Sequence, residues 1–272
     1  MKKALTIVLL LCMSLSPLLS FAEGEPTNRY EKIMQEGKLI MGTAPGFPPF
    51  EFIDLTKTGS DSIVGCDIEL GKYIAEQLGV ELVIETMDFA TLLAAVGQGT
   101  VDIAISGMAP RDDRAEVMEF STAYNTDGYQ CMVIHQDDAE KYQSLTDFDG
   151  ATVLAQNGSL QQELITGQVP GAKMELVTNV GEGIMMVTTK KASGIAMSGV
   201  VAELYLKSYP ELMIVPQHFE YESVGTVIGI VKGETELVEA INPIVEEAEN
   251  SGLYAQWRED ALTLAASQMV DE

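Results

Sequence analysis

Residues 67–84 read DIELGKYIAEQLGVELVI, and the change of period inside this stretch decides the fold. Asp67 stands where a helix N-cap is expected, ahead of a segment carrying Ile68, Ile74 and Leu78, and Gly79 occupies the left-handed position that ends such a helix. Val80 to Ile84 then turns β-rich. Upstream, Leu39-Ile40-Met41 reads as a strand running into the loop Gly42 to Pro49. Downstream, Phe89 to Val96 reads as a second helix, broken by Gly97-Gln98-Gly99, and Val101, Ile103 and Ile105 alternate with Asp102 and Ala104 as a third strand. This is a βαβαβ succession, which predicts a mostly parallel sheet covered by helices on both faces.

The pattern starts again after about residue 120. Gln130 to His135 and Thr152 to Ala155 read as strands, the latter behind the turn Asp149-Gly150. Asn157-Gly158-Ser159 opens a helix. Gly194 to Met197 is strand-like, Val200 to Lys207 helical, and Met213 to Val215 a strand. A last strand, Gly225 to Val231, precedes helices at Thr235 to Asn250 and Tyr254 to Ala265. The expectation is two α/β units of similar size, joined without a Pro/Gly/Ser-rich linker.

Composition narrows the function. The chain of 272 residues carries 41 acidic against 16 basic residues, a formal net charge of −25, and 46% hydrophobic residues. That is the balance of a globular protein, and it lacks the basic stripe that nucleic-acid phosphates demand. His135 and His218, the only histidines, have no Cys or His neighbour at metal-ligand spacing, so neither a metal nor a cofactor is expected. The 14 methionines are scattered as core fillers would be. Cys66 and Cys131 read as buried small hydrophobes in preference to a disulfide. Lys2 and Lys3, the apolar run Ala4 to Leu15 and Ser20-Phe21-Ala22 predict a signal peptide over residues 1–22. Leu11 is too large for a good lipidation site at Cys12, and no later run is long enough to span a membrane. An exported, soluble chain is expected, periplasmic or associated with the outer cell surface.

Five segments, in order, resemble the amino-acid branch of the extracytoplasmic solute-binding proteins of ABC importers, family 3, with the type II periplasmic-binding-protein fold. They are Gly42-Thr43-Ala44-Pro45-Gly46-Phe47-Pro48-Pro49-Phe50-Glu51, Gly65-Cys66-Asp67-Ile68-Glu69-Leu70, Asp102-Ile103-Ala104-Ile105-Ser106-Gly107-Met108, Arg114-Ala115-Glu116-Val117-Met118-Glu119-Phe120-Ser121, and the turn Asn157-Gly158-Ser159. The resemblance implies a two-lobe α/β clamp. Lobe one would comprise residues 28–124 and 225–272 and lobe two residues 130–220, with hinge segments near 124–130 and 220–225. It also implies a monomer that binds an amino acid or related small carboxylate between the lobes and closes for delivery to a membrane permease.

Arg114 follows a strand end and a loop, where side chains project into the crevice at the carboxyl edge of a parallel sheet. Its planar fork suits a carboxylate, although pairing with Asp112, Asp113 or Glu116 would be the ordinary fate of an arginine in so acidic a chain. Helix N–H groups behind Gly158 and Ser159 can meet an anion, and by resemblance this turn shares the ligand carboxylate with Arg114. The resemblance also implies that Ser106, Gly107 and Met108 line the site, that Phe47 and Phe89 sandwich the ligand, and that Tyr124 forms a third wall. Phe50 and Phe52 read as core. Two departures stand out: Ala109 replaces a usual hydroxyl, and Ser198 replaces the aspartate that usually holds the ligand's α-ammonium. Either the ligand lacks a free α-ammonium, or another acid such as Asp127, Glu220 or Glu222 supplies the charge. The alternative function on the same fold is a cyclohexadienyl or arogenate dehydratase-like enzyme. It is disfavoured because neither histidine falls at a motif position and no nucleophile motif occurs.

Overall fold

The strands collect into two five-stranded sheets and one short hairpin in a computed structural model that describes residues 25–126 and 128–269. The expected signal peptide, with Cys12, lies outside the described residues. The first part of the chain runs α1 (Arg29–Glu36), β1 (Lys38–Thr43), β2 (Phe52–Ile53), β3 (Ile63–Val64), α2 (Cys66–Leu78), β4 (Glu81–Thr86), α3 (Phe89–Gln98), β5 (Ile103–Ala104), α4 (Asp112–Ala115) and β6 (Met118–Phe120). It continues with β7 (Gln130–His135), β8 (Thr152–Gln156), α5 (Leu160–Gln168), β9 (Lys173–Val177), α6 (Val180–Thr188), β10 (Gly194–Ser198), α7 (Gly199–Ser208) and β11 (Leu212–Ile214). It ends with β12 (Gly229–Val231), α8 (Thr235–Asn250) and α9 (Leu253–Met269).

The first sheet has the order β4-β1-β5-β12-β6, and the second β11-β7-β10-β8-β9. In the first, β4, β1 and β5 are parallel, as the βαβαβ succession demands, with Leu39 opposite Leu82 and Met41 opposite Ile103. In the second, β9, β8 and β10 are parallel. Each sheet is completed antiparallel by the strand entering from the other: β12 joins beside β5, and β7 beside β10. The chain therefore passes between the sheets twice, and the two passages lie side by side. Asn125 and Thr226 form an antiparallel bridge there, with Thr226 N–H donating to the Asn125 carbonyl at 2.8 Å and Tyr124 N–H to the Thr226 carbonyl at 2.9 Å.

Buried aliphatic side chains of both sheets form the cores. Leu39, Met41 and Ile103 pack beneath α2 and α8, while Met132, Val153 and Ala196 pack with Phe148 and Leu164. The C-terminal helix α9 touches both halves: Ala261 and Ala265 pack with Leu204 of α7 and with Phe52 and Val64 of the hairpin. Phe50 and Phe52 are core residues, and Cys66 and Cys131 are buried free thiols.

One cap differs from its sequence expectation. Helix α2 starts at Cys66 behind Gly65, not behind Asp67. Gly65 has φ 134°, and a Cβ there would lie 2.0 Å from the Phe50 carbonyl oxygen, so this close approach admits only glycine. Asp67 is thereby freed for another task. Buried at the start of the helix, its carboxylate accepts hydrogen bonds from Gly107 N–H (2.7 Å), Tyr124 Oη (2.9 Å) and Tyr254 Oη (2.7 Å). Burial still pushes its pKa above the usual 3.8. Asp67→Ala strands these donors in the core, and urea unfolding should show a loss of about 3 kcal/mol.

Candidate functional site

The carboxyl ends of β1 and β5 face those of β8 and β10 across a cleft of about 540 Å³ of atom-free space, part of it open to solvent. Phe47, Phe89, Ser106, Gly107, Met108, Arg114, Ser159 and Ser198 all line it, which brings residues from distant segments together.

On the first-sheet side, the loop after β1 folds back so that Gly46 and Phe47 N–H both donate to the Glu51 carbonyl. Phe47 stacks on Phe50 at 5.3 Å between ring centroids, which anchors one face of Phe47 in the core. The Ser106-Gly107 turn is held by two acids: Ser106 Oγ donates to Glu51 Oε1 at 2.7 Å, and Gly107 N–H donates to Asp67. Gly107 has φ 53°, and a Cβ there would press to 3.0 Å on the Phe47 ring.

Arg114 sits in the short helix α4 and is only 4% exposed. Its Nη1 donates to the Ala109 carbonyl at 2.6 Å and its Nη2 to the Gly158 carbonyl at 2.8 Å, across the cleft. Its guanidinium carbon lies 5.4 Å from the Phe89 ring centroid, a cation–π arrangement. None of the neighbouring acids pairs with it. Arg111 takes Asp113 instead, bonding it at 2.8 and 2.9 Å, and reaches Glu163 of α5 at 3.1 Å, while its Nη1 donates to the Ser159 carbonyl at 3.0 Å. The guanidinium of Arg114 is thus a buried cation in no direct ion pair among the described residues, with Asp113 and Glu163 acting on it only at longer range, and its Nε has no hydrogen-bond partner. Burial, reinforced by the Arg111 cation, lowers its pKa to about 10, so it remains charged at neutral pH.

Across the cleft, Ser159 caps α5 by accepting from Gln162 N–H, and the N–H groups of Leu160 and Gln161 open the first helical turn. Gly158 does not line the cleft; its carbonyl holds Arg114, and its α-carbon region packs on Leu93 of α3. Ser198 precedes α7, is 3% exposed, and its Oγ has no partner.

Tyr124 is not a wall of the site. It is 1% exposed, packs edge-on against Tyr254, and spends its hydroxyl on Asp67 in the core behind the Ser106 turn. Glu220 and Glu222 are exposed and do not line the cleft, and Asp127 lies outside the described residues. The acid that does reach the site is Glu51, the last residue of the first of the five segments, to which the sequence pattern assigns no role. It is 1% exposed, Oε2 is without a partner, and burial together with the nearby Asp67 pushes its pKa well above the usual 4.5. A cleft with one buried cation, one buried acid and aromatic faces near both is suited to a small molecule with a carboxylate and a cationic group. Among the described residues no group of three or more His, Cys, Asp or Glu side chains could hold a metal ion.

Known proteins share this build. The chain is 34% identical over 219 residues to the arginine-binding extracellular protein ArtP of Bacillus subtilis (strain 168), covering 79% of this chain and 82% of ArtP. It superposes with a TM-score of 0.80 and 32% identity on AbpA of Streptococcus pneumoniae Canada MDR_19A, an amino acid ABC transporter substrate-binding protein solved bound to L-arginine, covering 87% of this chain and 99% of that one. A mutant of ArgBP from T. maritima gives a TM-score of 0.78 at 29% identity, covering 86% and 99% of the two chains. With the model of that family matching residues 39–262, nearly everything from β1 into α9, this chain belongs to the bacterial extracellular solute-binding proteins, family 3.

Proposed function

We propose that the cleft binds an arginine-type ligand, its carboxylate on Arg114 and the first turn of α5, its cationic side chain between Phe47 and Phe89 against Glu51. The observation that carries this reading is the buried guanidinium of Arg114, in no direct ion pair among the described residues, with its unpartnered Nε. A buried cation in that state is stabilised most by an anion that desolvates with it. Glu51 supplies the complementary charge for a guanidinium or ammonium. ArtP is an arginine-binding protein and AbpA holds L-arginine, which supports the same class of ligand.

The two units act as lobes, residues 28–124 with 225–272 against 130–220, hinged where Asn125 and Thr226 pair. Bonds such as Arg114 to Gly158 and Arg111 to Ser159 exist only while the lobes meet, and a bridging carboxylate adds to them, which shifts the population toward closure. The exported, monomeric receptor then presents the closed form to a membrane permease and releases its ligand unchanged. Saturating arginine-type carboxylates should raise the melting temperature by about 5 °C or more. Aspartate and glutamate should not. A stronger shift with those acids, or turnover of a prephenate-like acid by the purified protein, would contradict the proposal.

A further inference from the structure

The charges on the cleft wall count the charges the ligand can carry. Among the described residues, Glu51 is the only carboxylic acid and Arg114 the only guanidinium lining it; the rest of the polar wall presents Gln130, Gln156, Gln161, Ser159, Ser198 and the Tyr221 phenol. Gln161 and Gln130 already bond each other at 2.6 Å. The wall is also electropositive in its backbone, because α5 and α7 both begin there, behind Ser159 and Ser198. Ser159 spends its oxygen on capping its helix. Ser198 does not: its buried Oγ caps nothing and has no hydrogen-bond partner, while the residue lines the cleft at the positive end of α7. An ammonium placed there would face a helix N-terminus with no carboxylate to offset it. Glu51 cannot serve two cations at once.

Resting on the reading that Arg114 takes the carboxylate and Glu51 the cationic side chain, we infer that the preferred ligand carries no ammonium at its α position. It is a guanidino- or amino-alkanoate whose α-carbon bears hydrogen or a neutral hydrogen-bonding group, for which the Ser198 hydroxyl is the natural partner. Net charge decides: the ligand is a zwitterion of one carboxylate and one cation, matching one acid and one guanidinium on the wall. L-Arginine, with two cations, leaves one unpaired in a closed cleft, and an unpaired buried ion is strongly disfavoured.

The test is calorimetric titration of the native mature protein with 5-guanidinopentanoate, which is L-arginine without its amino group, with L-arginine itself, and with L-citrulline. The expected result is that 5-guanidinopentanoate binds at least about tenfold more tightly than L-arginine. In Ser198→Asp, which supplies the missing acid, that preference should shrink or reverse. Equal or tighter binding of L-arginine by the native protein would overturn the inference while leaving the Arg114 and Glu51 assignments standing. So would a ratio unchanged in a folded Ser198→Asp variant. Binding of L-citrulline in preference to both guanidino compounds would instead overturn the placement of a cation at Glu51, and the inference with it.

Discussion

An Arg114→Met protein is expected to lose ligand binding by at least about a hundredfold while remaining folded. Removing one partner of a buried ion pair costs roughly 3–5 kcal/mol, and each tenfold in affinity is about 1.4 kcal/mol. The unliganded protein should barely notice. Its Arg114 is a desolvated cation whose hydrogen-bond partners among the described residues are the carbonyls of Ala109 and Gly158, with the Phe89 ring beside it, so truncation relieves one burial cost as it strands two acceptors. Unfolding free energy without ligand should change by no more than about 1 kcal/mol. A merely structural arginine would give the opposite pattern, with a large loss of stability and ligand affinity following it down. Calorimetry and urea unfolding on the same preparation separate the two.

Glu51→Gln carries the second large effect, and its signature is in the pH dependence. In the empty cleft, burial and Asp67 hold the Glu51 carboxyl well above 4.5, so native Glu51 keeps its proton where an unfolded chain has lost it. The native state then binds more protons than the unfolded state as pH rises from the ordinary value toward the raised one. Stability from this group is therefore fully present below about 4.5 and declines above it. Glu51→Gln removes that decline, and the empty variant should be more stable than the native protein at neutral pH. Binding reverses the preference. A ligand cation beside Oε2 favours the ionised carboxylate, so binding releases a proton and affinity climbs with pH until Glu51 ionises unaided. Titrations in buffers of different ionisation enthalpy should detect that released proton in the native protein and lose it in Glu51→Gln. The variant's affinity for guanidino carboxylates should fall by about 2–4 kcal/mol and become nearly independent of pH.

Much of this site is legible in the chain itself. The carboxyl ends of β1 and β5 and the glycine-marked turn at Asn157-Gly158-Ser159 are local signals, and local signals place Phe47, Ser106, Arg114 and Ser159 near the ends of the strands. What escapes depends on partners far away in sequence. Glu51 looks like any acid in a chain that holds 41; its place is set by a hydrogen bond from Ser106, 55 positions on, and its raised pKa by burial and the nearby charge of Asp67. Tyr124 misleads for the same reason. An aromatic beside the passage between sheets could face either way, and the hydroxyl's partner Asp67, 57 positions earlier, decides that it faces the core. Asp67 has the composition of an N-cap, yet the approach of the Phe50 carbonyl to Gly65 moves the helix start back and leaves the carboxylate to organise the floor of the site. Glu220 and Glu222, near the second passage, turn to solvent.

The most direct measurement is a crystal structure of the protein with 5-guanidinopentanoate in the cleft. The expected result is a carboxylate oxygen accepting a hydrogen bond from Arg114 Nε, with the guanidinium of the ligand against Glu51 Oε2. A ligand carboxylate seated away from Arg114, with Nε still unpartnered, would contradict it.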